Sequence, residues 1–364
     1  MAIQVALIGI TNAGKSTVFN SLVDTPVETS PALYTTTKTN IGTTKIFDPR
    51  LEKIHELVSA QKITYATLEL YDLPGISKNN INTKVAQTFF ADMRQTDVLI
   101  HVVRCFDDSS VSHSHATIDP IQDIEWLEFE LQVRDLDQIE KKLNKVEKSY
   151  KAGDTKLKFT YETLLKFKER LDNMQSLRTL LPFNDEEEKL VKDMAFLSAK
   201  PVIFLLNTDE NYFAQPNEIT QKAISYLEQK HLPYLVIAGK IEEEIKQLPE
   251  EEQKEFLQSY NISEPSVRKI AKAAYDMLHL VTFYTVGGKE NRAWPIPQGT
   301  NAQRAAGTIH SDLEKGFIRA EVYNVHDLFT YGSEQKVKEA GKIRLEGKNY
   351  IVQDGDILHI RFNV

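Results

Sequence analysis

Short, continuous apolar runs punctuate this chain, and most are followed by a polar loop and then by residues at helical spacing. Val5-Ala6-Leu7-Ile8 is the first, and Thr17-Val18-Phe19-Asn20-Ser21-Leu22 after it reads as the opening turns of a helix. Thr67–Asp72, Val98–Val103, Pro201–Asn207 and Tyr234–Ala238 are further strand-like runs. Strands separated by helix-length segments predict a parallel sheet wrapped by helices.

Between Val103 and Pro201 the pattern changes. Ile124, Leu127, Leu131, Ile139, Leu143 and Val146 recur at spacings near three and four, with charges between them. After the turn Lys151-Ala152-Gly153-Asp154 a second set follows: Leu157, Tyr161, Leu164, Leu171, Met174, Leu177 and Leu181. Two long amphipathic helices joined by a tight turn predict an antiparallel hairpin inserted into the sheet domain. The acidic run Asp185-Glu186-Glu187-Glu188 reads as a capped helix start rather than a metal site. From about residue 280 the texture shifts to strands, at Val281–Val286, Gly316–Val322, Lys348–Val352 and Ile357–Phe362, as in a small α+β module. The expected domains are therefore 1–122 with 201–279, the inserted hairpin 123–200, and a module over 280–364.

Size and charge add bounds. At 364 residues the chain is too long for one compact core. The formal net charge is −8, which argues against binding nucleic acid over the whole surface and against reading DNA sequence. The acidity lies in the body, and the near-neutral C-terminal module leaves room for a local basic face. One cysteine, Cys105, excludes an internal disulfide and fits a reducing cytoplasm. No leader signal precedes the first strand, and no apolar run approaches the roughly 18 residues of a membrane span.

The most specific chemistry lies between the first strand and helix. Residues 9 to 16, Gly-Ile-Thr-Asn-Ala-Gly-Lys-Ser, are a complete G-x-x-x-x-G-K-[ST] phosphate loop in strand–loop–helix context. Gly9 and Gly14 permit a tight turn, so that successive N–H groups of Asn12, Ala13, Gly14, Lys15, Ser16 and Thr17 face one concavity, reinforced by the helix dipole. Lys15 is a point charge for the β- and γ-phosphates, and the Ser16 hydroxyl is a hard oxygen ligand for Mg²⁺.

The other expected parts of a nucleotide site follow in order. Asp72-Leu73-Pro74-Gly75 ends a strand, where the carboxylate can hold Mg²⁺ through water and the Gly75 N–H can meet the γ-phosphate. Thr35, Thr36 and Thr37 lie in a Ser/Thr-rich loop, and one of them, Thr36 by choice, can coordinate the metal. Asn207-Thr208-Asp209-Glu210 occupies the base-reading position. Compared with Asn-Lys-x-Asp, the guanine-reading pattern, the final carboxylate is one methylene longer, which favours adenine over guanine. Ala238-Gly239-Lys240 sits where a small loop would touch the base. Ile76 stands where a glutamine often orients the attacking water, and it cannot hydrogen-bond. His113 and His115, in the polar loop from Asp107 to Asp119, are candidates to reach the γ-phosphate.

Taken together, these residues resemble the YchF / Obg-like ATPase family, a branch of the translation-factor-related P-loop GTPases. The resemblance covers essentially the whole chain. It rests on Gly9–Ser16, Asp72–Gly75, apolar Ile76, Asn207-x-x-Glu210, the interrupting hairpin, Val103–Phe106, and the C-terminal strings Arg292–Pro297, Ala305–Asp312, Glu314–Ala320 and Asp354–Asp356. It implies a P-loop G domain with an inserted helical coiled-coil hairpin and a C-terminal β-grasp (TGS) module. It further implies Mg²⁺-dependent hydrolysis of ATP at least as well as GTP, association with the ribosome or its RNA through the hairpin and TGS module, and a catalytic role for His113 beside Lys15. A guanine-specific GTPase, and a nucleotide-gated binding module with little hydrolysis, remain the alternatives. One departure is the stretch Ser77–Lys84, which lacks the glycines that family members carry after Asp-x-x-Gly.

Overall fold

The computed structural model describes residues 2–24, 39–111 and 117–363. In chain order the first elements are β1 (Ile3–Ile8), α1 (Lys15–Leu22), β2 (Asn40–Ile46), α2 (Pro49–Leu57), β3 (Ile63–Thr64), β4 (Ala66–Asp72), α3 (Lys84–Gln95), β5 (Val98–Cys105) and α4 (Pro120–Lys151). Next come α5 (Lys158–Asp172), α6 (Asp185–Met194), β6 (Val202–Thr208), α7 (Glu218–Gln229), β7 (Tyr234–Ile237), α8 (Gly239–Lys246), α9 (Glu250–Ser259) and α10 (Ser266–Met277). The C-terminal elements are β8 (Leu280–Thr285), β9 (Asn291–Pro297), α11 (Ala302–Ile309), α12 (Ser311–Lys315), β10 (Phe317–Asn324), α13 (Val325–Tyr331), α14 (Glu334–Glu339), β11 (Arg344–Glu346) and β12 (Asp356–Phe362). Contacts divide the chain into two units. Gln4–Gly42 and Leu70–Val267 form one, and Thr43–Glu69 with Arg268–Val364 and the first residues form the other.

The larger unit is built on a sheet of order β2-β4-β1-β5-β6-β7, in which β1–β5, β5–β6 and β6–β7 are parallel pairs. Every residue of β5 and β6 is buried, as expected of central strands covered on both faces. Phe89 and Met93 of α3, Leu127 and Leu131 of α4, and Leu227 of α7 close over Leu99 and Phe204 in one apolar cluster.

The predicted hairpin is present. Asp119 caps α4 by accepting the N–H groups of Ile121 and Gln122, and Pro120 takes the first helical position, where its missing N–H costs nothing. Ile139, Leu143 and Val146 pack against Leu164, Phe167 and Leu171 of α5. The second helix is shorter than its apolar spacing implies. It ends at Asp172, and Met174, at φ 58°, turns the chain out of the helix. Leu177 still enters the same core, from a 3₁₀ turn. The acidic run is a helix start: Asn184 accepts the Glu186 and Glu187 N–H groups, and the Glu187 carboxylate accepts the Asn184 N–H, a complete capping box.

The smaller unit carries a mixed sheet of order β11-β10-β12-β8-β9-β3 around Phe283, Trp294, Phe317, Val322 and Leu358, a β-grasp arrangement. Lys348–Val352, expected to be a strand, is not one. Its backbone turns from Gly347 to Tyr350 and bonds to the segment Thr300–Ala302, leaving only an isolated bridge between Ile351 and Asn301. The strand lies earlier, at β11, paired with Ala320–Val322. Residues 43–69, grouped by sequence texture with the phosphate-loop segment, belong by contacts to this unit. Tyr284 donates its hydroxyl to Asp48 (2.5 Å), Arg50 pairs with Asp354 (2.6 Å), Asn291 donates to the Val58 carbonyl (2.8 Å), and β3 extends the sheet at β9.

Candidate functional site

The site gathers at the C-terminal ends of β1, β4, β5, β6 and β7, where ligands of open parallel sheets bind. Gly9 adopts φ 150°, and a Cβ there would lie 2.4 Å from the Val102 carbonyl oxygen. Gly14, at φ 87°, is the residue before α1, and a Cβ on it would meet the Asn207 amide at 2.1 Å. Among the described residues no side chain caps α1, the arrangement that leaves its first N–H groups for a phosphate.

Lys15 is buried, and its ammonium donates to the Ile10 carbonyl (3.0 Å). Burial pulls its pKa down to about 8, against the opposing attraction of Asp72. Asp72 is fully buried at the end of β4. Burial raises its pKa, while Lys15 and the hydrogen bonds from Ser16 and Asn40 act in the other direction. The Ser16 hydroxyl donates to Asp72 Oδ2 at 2.8 Å. Asp72 Oδ1 is buried with no hydrogen-bond partner among the described residues. An ionisable oxygen left in this way beside a serine hydroxyl fits a divalent cation, bound directly or through water.

After Asp72 the chain passes along the phosphate loop. The Thr11 N–H donates to the Ile76 carbonyl (3.1 Å), and Ile76 is fully buried. A Cβ on Gly75 would lie 2.9 Å from Thr11 Cα and 3.2 Å from Lys15 Nζ, so only glycine lets this segment approach so closely. In the glycine-free stretch beyond it, Asn80 supplies an anchor. Its amide donates to the Gly75 carbonyl (3.0 Å), and its side-chain oxygen accepts the Ser77 N–H (2.8 Å).

Asn207 joins two further walls. Its amide nitrogen donates to the Ala13 carbonyl (3.1 Å), and its oxygen accepts the Gly239 N–H (3.1 Å). Ala238 and Gly239 open α8 rather than forming a free loop. Thr208 is buried, with its hydroxyl shared between Thr220 (2.9 Å) and Asn217 (3.0 Å). Glu210 is exposed. One pocket of about 860 Å³ takes in Asn12, Gly14, Lys15, Ser16, Thr17, Gly75, Asn207 and Glu210. Thr35, Thr36, Thr37, His113 and His115 lie outside the described residues.

Sequence reasoning named the loop from Asp107 to Asp119 for its histidines, not Phe106–Val111 as a wall of the pocket, and it did not single out the side chain of Asn217. Asn217 caps α7 by accepting the Thr220 N–H (2.7 Å) and donates to Asp209 (2.6 Å) and the Cys105 carbonyl (3.2 Å). Arg104, a charged residue inside the fully buried β5, was the available signal for the wall. Cys105 is no reactive thiol, because burial pushes its pKa well up. No helix among the described residues is long and apolar enough to cross a membrane.

Residues 4–152 match the MMR_HSR1 family model, described as a 50S ribosome-binding GTPase. Residues 280–363 match YchF-GTPase_C, described as a protein of unknown function (DUF933). The chain is 38% identical over 367 residues to the ribosome-binding ATPase YchF of Bacillus subtilis, and 37% identical over 365 residues to that of Haemophilus influenzae, covering 100% of each chain in both cases. Among solved structures, the Schizosaccharomyces pombe YchF GTPase superimposes with a TM-score of 0.86 at 29% identity, over 99% of this chain and 97% of that one. End-to-end identity at this level, on a site with every phosphate-loop residue in place, makes this chain a member of the YchF family of P-loop NTPases.

Proposed function

We propose that this protein is a Mg²⁺-dependent nucleotide hydrolase that prefers ATP to GTP and acts as a ribosome-associated regulatory switch. The observation that carries the nucleotide preference is the base-side wall. Asn207 is spent on bridging Ala13 and Gly239, and the carboxylate beyond it is Glu210 rather than aspartate. The longer side chain displaces the carboxylate that would accept from guanine N1–H and its amino group.

In this reading Lys15 and the N–H groups of Asn12 to Thr17 hold the phosphates, and Ser16, Asp72 and Thr36 hold Mg²⁺. The metal, when bound, supplies charge neutralisation for the β- and γ-phosphate oxygens. Gly75 offers its N–H to the γ-phosphate. Ile76 cannot orient water, so His113 is assigned that role. The ribosome enters from the relatives named as ribosome-binding ATPases. The hairpin over 123–200 and the module over 280–364 are the proposed contacting parts, with 1–122 and 201–279 as the nucleotide-binding domain.

Calorimetric titration of the full chain with MgATP and MgGTP in parallel tests this, with Lys15→Ala as control. Tighter ATP binding that Lys15→Ala abolishes is expected. Tighter GTP binding would instead favour the GTPase reading that the Schizosaccharomyces pombe relative's name carries.

A further inference from the structure

The segment Phe106–Val111 forms a wall of the pocket but has no regular secondary structure of its own. Arg104 is one of the residues that hold it. This side chain is 1% exposed and among the largest fully buried ones in the protein. Its Nε donates to the Phe106 carbonyl (3.3 Å), and Nη2 donates to the carbonyls of Asp108 (3.2 Å) and Val111 (3.1 Å). The guanidinium carbon also lies 4.5 Å from the centre of the Phe106 ring. Three carbonyls of one short loop thus converge on one cation. A guanidinium serves them together because its donors are spread over a fixed planar fork, whereas the three donors of an ammonium radiate from a single nitrogen.

The wall stands on the nucleoside side of the pocket. The Asp107 N–H donates to Asp209 Oδ1 (3.3 Å), inside the segment Asn207–Glu210. Phe106 comes within 3.7 Å of where a Gly14 side chain would begin. Lys15, Ser16 and Asp72 make their hydrogen bonds to Ile10, to each other and to Asn40, not to this loop. Burying an arginine is costly unless its donors are satisfied, and Nε and Nη2 are satisfied by this loop.

We propose that Arg104 is a positioning residue for nucleoside recognition, holding the 106–111 wall in its binding geometry before nucleotide arrives. The proposal rests on the nucleotide-site reading and assigns it a residue that does not itself line the pocket.

The test compares MgATP with Mg-tripolyphosphate, which lacks the nucleoside, on the full chain and on Arg104→Lys and Arg104→Gln, by calorimetry. ATP affinity is expected to fall about tenfold or more in both variants, while tripolyphosphate affinity stays within about twofold. Lysine is not expected to rescue. Equal weakening of both ligands, or no weakening of either, overturns the proposal. Wild-type protein that binds tripolyphosphate and ATP equally well would count against the nucleoside-site reading itself. A second measurement needs no variant: amide hydrogen exchange of residues 106–111 in the nucleotide-free wild type. Protection without nucleotide is expected, and protection that appears only with ATP overturns the pre-set wall.

Discussion

The side chain of Asn207 accepts the Gly239 N–H at 3.1 Å while donating to the Ala13 carbonyl at the same distance. One amide therefore fixes the end of β6 to the phosphate loop on one side and to the start of α8 on the other. Both partners are buried backbone groups, so neither can turn to water if the amide is lost. Asn207→Ala is expected to leave both unpaired, at about 1–3 kcal/mol each. The readouts are a lower urea midpoint and a weaker ATP affinity by about tenfold or more. An unchanged affinity would mean that the phosphate loop and α8 hold their spacing without it.

Lys15 gives the nucleotide-free protein a signature in pH. Its folded pKa is lowered by burial to about 8, below the unfolded value of 10.5. Below pH 8 both states hold the proton and the buried charge costs stability. Between about 8 and 10.5 the unfolded chain keeps a proton that the folded one has released, so stability rises with pH across that window. The expected gain, as an order of magnitude, is about 3 kcal/mol. Urea unfolding of wild type and Lys15→Met at a series of pH values isolates it: the difference between them should narrow or reverse in favour of wild type as pH rises. Parallel curves would show that Lys15 keeps an ordinary pKa.

His113 is the assigned substitute for the glutamine that Ile76 replaces. His113→Ala is expected to lower turnover by about 10–100-fold while ATP affinity changes little. Single-turnover kinetics beside equilibrium binding separates the two effects. An unchanged rate would remove the histidine from the mechanism.

Base choice is assigned to the Asn207–Glu210 segment. Glu210→Asp combined with Thr208→Lys is expected to move preference toward GTP. The exchange should also lower thermal stability, because the buried Thr208 hydroxyl serves both Thr220 and Asn217. Competition of ATP and GTP for one fluorescent nucleotide provides the measurement. A stable double variant with unaltered preference would place base choice elsewhere, with the Phe106–Val111 wall next in line.

What the sequence determined by itself were the parts whose chemistry is local. A phosphate loop is eight consecutive residues, so spacing alone reveals it, and the apolar runs of β1, β5 and β6 show the parallel sheet because central strands are buried on both faces. The acidic run Asp185–Glu188 declares a helix start for the same reason, since the charges that favour a helix N-terminus lie within its first turn. Tertiary structure decided what depends on partners distant in the chain. The 43–69 segment reads as ordinary strand and helix, and only the pairing of Asp48 with Tyr284 and of Arg50 with Asp354 assigns it to the C-terminal unit. Lys348–Val352 has strand-like composition, yet its backbone bonds are taken by Thr300–Ala302. Asn217 left no readable signal of function, because it collects the Cys105 carbonyl and the Asp209 carboxylate, which converge only once β5, β6 and α7 are packed. Hydrogen-bond convergence of that kind is a property of three-dimensional proximity, and spacing along one chain does not encode it.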